Sequence, residues 1–558
     1  MYKRNVILDI DVAVELLADH QPASHAAKAA FEKALNRDCQ IWLVAACLPT
    51  LLERLKQALG ARADDTGKET IHSTASSQAR DIMQEFLAKV SVLSSHGFDA
   101  EAAFESEQPR AALILLAADA LADEVEILSK DPALLGADRR VVHPQAYADR
   151  ANSTSQVENP IPFIDLVQQQ HRILPQLEKG IANVFRSGQY IMGPEIQELE
   201  KKLAEYTGIE HVICCSSGTD ALLLALMAYG VGPGDAILTS TFTFISTAEV
   251  ISLLGATPVF VDIDPRTFNI DPECLESAIR ACKENNQEIY PLPALPEGPA
   301  ATLEPKGILA VNLFGLPCEY DRVNAIASEH GLFVVEDAAQ SFGAQYRGRS
   351  ACSLADIGCT SFYPSKPLGG YGDGGAVFTG NHEIAERIAS IRIHGMGEDQ
   401  YDNIRIGINA RMDTLQAAVL LPKLEIFPRE LESRHRVATR YAELLTSHES
   451  LQIPTVPEGY RSAWALYCIL SNRRDELRDT LASRGVPTAI YYPKPLHLQT
   501  AFSHLGYETG DFPVAESTAK QILSLPIHPY LHERDIRWIA KQLAETLAWI
   551  QRHPPTGH

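Results

Sequence analysis

Among the 558 residues no apolar run reaches the roughly 18 needed to span a bilayer. Met1-Tyr2-Lys3-Arg4 does not open a secretory leader either, because Asp9, Asp11 and Glu15 interrupt the apolar stretch and no small-residue cleavage site follows. Positive charge is scarce: 49 Lys and Arg stand against 71 Asp and Glu, a formal net charge of −22. That balance argues against a general grip on nucleic acid or on an anionic membrane, and leaves room only for a local basic pocket, such as one for a diphosphate. The 10 cysteines are scattered without a Cys-x-x-Cys pair, so neither structural zinc nor a disulfide framework is indicated. No glycine run is followed by Gly-Lys-Ser/Thr, which excludes a Walker phosphate loop. A Ser-x-x-Lys nucleophile fails because Tyr363 sits three residues before Lys366. The expectation is a cytoplasmic protein with two or three domains, by a prior of roughly 100–200 residues per domain.

What is present centres on Lys366. Ser361-Phe362-Tyr363-Pro364-Ser365-Lys366 runs into a glycine-dense turn from Gly369 to Gly375. A lysine amine can form a Schiff base with the aldehyde of pyridoxal 5'-phosphate (PLP), Ser361 can bond a phosphate, and glycines allow close backbone approach. Taken alone, a surface lysine beside an ordinary loop reads the same way.

Other segments supply the rest of a PLP site. Leu332-Phe333-Val334-Val335-Glu336-Asp337 has the pattern of a buried strand ending in an acid, at the sheet edge where open α/β folds bind ligands. Asp337 is the candidate partner of the pyridine nitrogen, and a helix N-cap is the plainer alternative. Gln340, three residues on, can donate to the ring's phenolic oxygen. Upstream, Val212-Ile213-Cys214-Cys215 predicts a strand, followed by Ser216-Ser217-Gly218-Thr219-Asp220 and an apolar helix. Strand, turn and helix N-terminus make an anion site in which Gly218 and Thr219 can meet a phosphate; an ordinary capped helix remains open. Phe244, in Thr241-Phe242-Thr243-Phe244-Ile245-Ser246-Thr247-Ala248, can stack on the ring or serve simply as core.

From Pro162 to about Leu547 the chain resembles the DegT-type nucleotide-sugar aminotransferases, which are fold type I PLP enzymes. The resemblance is carried by Phe163-Ile164-Asp165-Leu166, Gly188-Gln189-Tyr190-Ile191-Met192-Gly193-Pro194, Ser217-Gly218-Thr219-Asp220-Ala221-Leu222, Glu336-Asp337-Ala338-Ala339-Gln340-Ser341-Phe342-Gly343-Ala344 and the Lys366 segment. It implies Lys366 as Schiff base and proton shuttle, Asp337 on the pyridine nitrogen, Gln340 on the ring oxygen, Phe244 on the ring face, and Gly218, Thr219 and Ser361 on the phosphate. Some relatives carry histidine at the position of Lys366 and act as dehydratases, so lysine favours transamination. The resemblance further implies that Asn409 reaches the phosphate of the neighbouring subunit's cofactor, making a homodimer with shared active sites.

Substrate is addressed by Arg392-Ile393-His394-Gly395, by Gly407-Ile408-Asn409-Ala410-Arg411-Met412-Asp413 and by Ile490-Tyr491-Tyr492-Pro493. Arg411 is a guanidinium fork able to clamp a carboxylate, and a surface arginine at a helix start is the alternative. Tyr491 and Tyr492 match a family segment lining the sugar-nucleotide site, although relatives often show His-Tyr-Pro there; His394 is a further contact. Pro364-Ser365-Lys366-Pro367-Leu368-Gly369, Tyr371-Gly372-Asp373-Gly374-Gly375, Arg411-Met412-Asp413-Thr414-Leu415-Gln416-Ala417-Ala418 and Ser524-Leu525-Pro526-Ile527-His528-Pro529-Tyr530-Leu531 look like the branch that aminates UDP-2-acetamido-2-deoxy-3-oxo-glucuronate with L-glutamate, in surface-polysaccharide sugar biosynthesis. Another 3-keto or 4-keto nucleotide sugar is the alternative acceptor. A Pro-rich stretch between about Glu284 and Lys306 departs from the family and predicts a surface loop.

Residues 1–150 lie outside that resemblance. Val6-Ile7-Leu8-Asp9, Val125-Glu126-Ile127-Leu128 and Val141-Val142 predict strands in a small α/β domain. Parallel strands ending in acids bring carboxylates together as hard divalent metals require. The segment looks like a PIN-type nuclease domain with Asp9, Glu53 and Asp131 on family acid positions and Glu107 a weaker candidate, implying Mg²⁺ or Mn²⁺ and RNA if it is active. A degenerate domain used for packing or regulation is the alternative, since the usual aspartate near Glu107 is displaced or replaced. The expected organisation is this PIN-like domain (1–150), a polar linker (151–161), a large PLP-binding domain with a mostly parallel sheet (162–429) and a small α/β C-terminal domain (430–558).

Overall fold

The computed structural model describes residues 161–294, 303–399 and 401–552, together with the strands alone in the first 159 residues. The chain divides into two compact units, Met1–Asn159 and Pro160–His558. The first contains β1 (Asn5–Leu8), β2 (Gln40–Val44), β3 (Ser91–Leu93), β4 (Val125–Leu128) and β5 (Val141–Val142) in the order β3-β2-β1-β4-β5. All four pairings are parallel. β2 and β3 were not anticipated from the sequence. Asp9, Glu53, Glu107 and Asp131 lie outside the described residues, and among the described residues no cluster of His, Cys, Asp or Glu is placed to hold a metal.

The second unit is built on a seven-stranded sheet of β6 (His211–Cys215), β7 (Asp235–Ser240), β8 (Thr257–Val261), β9 (Glu304–Val311), β10 (Phe333–Asp337), β13 (Ile357–Ser361) and β14 (Gly375–Thr379). Their order is β6-β14-β13-β10-β9-β7-β8, and the short strands β11 (Gln345–Tyr346), β12 (Arg349–Ser350) and β15 (Tyr460–Arg461) form a separate antiparallel sheet in the order β12-β11-β15. Of the seven, only β14 runs against the rest, pairing antiparallel with β13 and β6. Alternate residues supply the two faces, as the period-2 geometry of a strand demands. Ile213, Ile237, Leu309, Val335 and Val377 enter one core; Leu238, Ile308 and Val334 enter a second core on the other face, and Cys214 and Phe378 enter a third. Both faces are covered, which is why these strands read as continuous apolar runs.

The helices of this unit are α1 (Leu166–Ser187), α2 (Pro194–Thr207), α3 (Gly218–Ala228), α4 (Ser246–Leu253), α5 (Pro272–Glu284), α6 (Tyr320–His330), α7 (His382–Ile391), α8 (Thr414–Leu445), α9 (Arg474–Ser483), α10 (Pro513–Gln521) and α11 (Glu533–Arg552). Side-chain caps begin several of them: Asp165 accepts from Gln168 N, Ser217 from Asp220 N and Asp271 from Glu273 N and Cys274 N. A smaller core gathers Val437, Tyr441 and Leu445 of α8, Leu477 and Leu481 of α9, and Ile539, Leu543 and Leu547 of α11, against β16 (Tyr467–Leu470) and β17 (Ile522–Leu525). The position 429/430 falls inside the continuous helix α8. Of the Pro-rich stretch, residues 295–302 lie outside the described residues, and its end is strand instead of loop, since Pro305 belongs to β9 and pairs with Ala236. It is tolerated there because the register shifts between Ala236 and Ile237, and proline in a sheet is confined to strand starts and bulges.

Candidate active site

The carboxyl ends of β6, β7, β10 and β13 bring the predicted residues to one edge of the sheet. β10 ends at Asp337, whose side chain is buried. Its Oδ2 accepts from Thr247 Oγ1 at 3.0 Å and its Oδ1 from Ala339 N at 3.1 Å. No helix follows directly, so Asp337 closes a strand instead of capping a helix. Burial pushes its pKa up, while the Ala339 N–H, the Lys366 charge and the Thr247 hydroxyl pull it back toward the anion. Lys366 is half-buried, and its backbone N–H donates to Tyr363 O at 2.9 Å. Desolvation holds its amine below the ordinary value, partly offset by Asp337.

The cradle beside them is made by glycine. A Cβ on Gly218 would lie 2.6 Å from Ser361 Cβ, and one on Gly375 would lie 2.3 Å from Ser217 O. Only hydrogen at these positions lets β13 and β14 approach the first turn of α3. The N-terminus of α3, Thr219 and Ser361 therefore share one corner. Thr219 Oγ1 lies 3.0 Å from Ser246 Oγ on α4. This donor set of free helical N–H groups and hydroxyls, with a lysine and a buried carboxylate alongside, fits PLP.

Phe244 lies beyond the end of β7, in the loop before α4, and its ring is 54% exposed. That ring stands 6.3 Å from the ring of Tyr492. Gln340 donates from Nε2 to Tyr492 Oη at 3.0 Å and accepts at Oε1 from Phe314 N at 2.7 Å. One Nε2 proton remains, since a carboxamide has two. Tyr491 is half-buried beside Tyr492.

His394, Asn409 and Arg411 come from paired segments: Ile393 bridges Asn409, His394 N donates to Ile408 O, and Ala410 N donates to Arg392 O. Ser216 N donates to Ala410 O at 3.0 Å, which sets Asn409 and Arg411 beside the first turn of α3. The side chains of His394 and Asn409 are exposed. Arg411 is half-buried and its Nε is buried without a hydrogen-bond partner.

Two supports were not legible in the sequence. In the sequence Thr247 is only a neighbour of Phe244, and nothing in its spacing points to Asp337. Gln416 of α8 accepts from Tyr371 N at 2.9 Å and packs beneath Gly370 and Gly372, fixing the turn after Lys366. In the same turn the Tyr371 ring lies 4.6 Å from the ammonium of Lys423, which is fully buried and has no hydrogen-bond partner. Burial lowers the pKa of Lys423 to about 8 despite the nearby Glu430.

A largely parallel sheet with a lysine, an acid and a glycine-lined anion corner at its carboxyl edge defines a PLP-dependent aminotransferase of fold type I. Residues 173–544 match the DegT/DnrJ/EryC1/StrS aminotransferase family, and the chain belongs to it. It is 46% identical over 383 residues to the UDP-2-acetamido-2-deoxy-3-oxo-D-glucuronate aminotransferase of Pseudomonas aeruginosa, covering 69% of this chain and 99% of that protein. It is 38% identical over 387 residues to the UDP-N-acetyl-3-dehydro-alpha-D-glucosamine 3-aminotransferase of Acidithiobacillus ferrooxidans, covering 69% and 98%. A DegT DnrJ EryC1 StrS aminotransferase from Brucella abortus superposes with a TM-score of 0.65 at 50% identity, covering 69% of this chain and 99% of that one.

Proposed function

We propose that this chain transfers the amino group of L-glutamate to C3 of UDP-2-acetamido-2-deoxy-3-oxo-glucuronate. The observation that carries the reading is the pairing of a half-buried lysine, its amine kept below its ordinary pKa, with the buried carboxylate of Asp337. When bound, PLP supplies an electron sink for the carbon that loses its proton. Gly218, Thr219 and Ser361 would hold its phosphate, with Asp337 serving its ring nitrogen, Gln340 its ring oxygen and Phe244 its face. Lys366 anchors it, and as a free amine takes the proton from the donor's α-carbon. A lowered lysine pKa raises the fraction of amine able to do so near neutral pH.

Both the donor and this acceptor carry a carboxylate, so one cation serves both half-reactions. Arg411 is that cation, and its unpartnered Nε is the support within the chain. His394, Tyr491 and Tyr492 contact the nucleotide sugar, and the exposed Asn409 reaches the phosphate held by a neighbouring subunit in a homodimer. No described helix is long and apolar enough to cross a membrane; a cytoplasmic reaction is part of the proposal, supported by the small soluble substrates it assigns. The test supplies glutamate with the 3-oxo-glucuronate or with the matching sugar lacking the C6 carboxylate, and follows 2-oxoglutarate formation. Preference for the acid by at least about tenfold in kcat/KM is expected; equal efficiency on both returns the neutral 3-keto sugar as acceptor.

A further inference from the structure

The segment that carries Tyr491 and Tyr492 is tied back to the sheet by one histidine. His497 has a side chain wholly removed from solvent. Its Nδ1 lies 2.7 Å from Thr241 Oγ1 and its Nε2 lies 3.2 Å from Glu516 Oε1. The Glu516 carboxylate only accepts, and it also takes the N–H of Gly510 at 2.8 Å and that of Phe512 at 3.4 Å. The proton of the imidazole therefore sits on Nε2, leaving Nδ1 to accept from the Thr241 hydroxyl. Two backbone donors reinforce the contact: Leu496 N donates to Thr241 O at 2.7 Å and His497 N to Thr241 Oγ1 at 3.4 Å.

The charged groups around this ring are few. Burial lowers the imidazole pKa, against Glu516, Asp511 and Asp262. Asp262 is already engaged by the N–H groups of Ile263, Val514 and Ala515. The ring of Phe512 packs edge-on at 4.7 Å. A neutral imidazole with one donor and one acceptor is thus matched at both ends.

The position of this contact gives it consequence. Thr241 directly follows β7 and begins the loop that carries Phe244 and leads into α4, whose first turn holds Thr247, the donor to Asp337. Five residues before His497 stands Tyr492, bonded to Gln340 and facing Phe244. Thr241 and His497 join these two loops beneath the site, and neither is exposed toward it.

We propose that His497 is a positioning residue for the reaction: braced by Glu516, its ring fixes the Thr241 hydroxyl and so sets the 241–247 segment, the loop and the first turn of α4, in register with the Tyr491–Tyr492 segment. This rests on the assignment of the PLP site to Lys366. Asparagine can place an acceptor near the Nδ1 position and glutamine a donor near the Nε2 position, so the two substitutions separate the two ends of the contact.

The experiment compares His497→Asn with His497→Gln, and Thr241→Ser with Thr241→Val, by PLP titration of the apoprotein, thermal unfolding and steady-state kinetics. His497→Asn and Thr241→Ser keep a Thr241 hydroxyl bond and should weaken PLP binding by no more than about threefold. His497→Gln and Thr241→Val lose it and should weaken PLP binding by roughly tenfold, with kcat falling more than the KM for glutamate changes. A packing role alone would shift the melting temperatures without separating the pairs in PLP affinity. Equal affinities across the four variants, with wild type binding PLP normally, overturn the role of His497. A wild-type chain that binds no PLP overturns the site assignment along with it.

Discussion

Thr247 donates its hydroxyl proton to Asp337 Oδ2 at 3.0 Å, joining the first turn of α4 to the end of β10. Asp337 would otherwise be a buried carboxylate with one backbone donor, and burial alone favours its neutral form. The Thr247 hydroxyl helps keep it an anion, as the proposed role opposite the ring nitrogen of PLP requires. Thr247→Val preserves shape and removes this donor. A hydrogen bond to a charged group is worth about 1.5–3 kcal/mol, so PLP affinity should fall by roughly tenfold or more. Fluorescence titration of the apoprotein measures this; unchanged affinity would remove Thr247 from the site.

Lys366→Ala should fold normally yet lose turnover by more than roughly a thousandfold, because it removes both the anchor and the proton carrier. Borohydride treatment of the PLP-loaded wild type, followed by peptide mass spectrometry, should mark Lys366. A mark on another lysine would transfer the role elsewhere.

Arg411→Lys replaces a fork by a point charge. With the uronic-acid acceptor, kcat/KM should drop by about tenfold or more, and the KM for glutamate should rise. The same substitution should have little effect on a neutral acceptor sugar. Parallel kinetics on the two sugars check this, and an equal loss on both would mean that Arg411 does not read the carboxylate.

Lys423 gives a prediction in pH. Its ammonium is buried without a hydrogen-bond partner, and its pKa falls from 10.5 to about 8. Between those values the unfolded chain binds more protons than the folded one, so this group's contribution to stability rises with pH over that window. Below about pH 8 the folded protein carries the full cost of the buried charge. Lys423→Met should therefore raise the melting temperature by roughly 1–3 °C at pH 7. The gain should shrink toward pH 10. A gain independent of pH would show that the amine does not titrate in this window, and a loss at pH 7 that the contact with Tyr371 outweighs desolvation.

Removing residues 1–159 should leave a soluble protein that binds PLP, because the second unit contains its own cores. Size-exclusion chromatography and PLP titration of the truncated chain test it. On the full chain, Mg²⁺- or Mn²⁺-dependent RNA cleavage that disappears in Asp9→Asn would give the first unit an activity of its own.

Much of the site was legible because its residues sit in short patterns with local causes. Asp337 closes an apolar strand, Gly218 opens a helix after one, and Lys366 precedes a run of glycines. Each needs only period-2 burial, an anion-binding turn or a missing Cβ to be recognised. Thr247, Gln416 and His497 carry no such mark. Thr247 meets Asp337 from 90 residues away and His497 meets Thr241 from 256, so their roles exist only after the sheet has assembled. The strands β2 and β3 were missed although neither is shorter than β5; unlike β1 and β4, neither runs into an acid that draws attention to it. Pro305 misled because proline argues against a strand unless a bulge is known to be there.

Helix α8 starts at Thr414, whose hydroxyl accepts from Gly193 N beside the 409–413 segment, and ends at Leu445 inside the core of the C-terminal elements. Between those points it is unbroken, and it includes Pro422 and Pro428. A loop between two lobes can swivel at little cost; a continuous helix acts as a leaf spring. Its prolines remove backbone hydrogen bonds where bending is easiest. Any displacement of the C-terminal elements relative to the Lys366 edge would have to flex this beam, so the helix itself opposes such a displacement with an elastic restoring force.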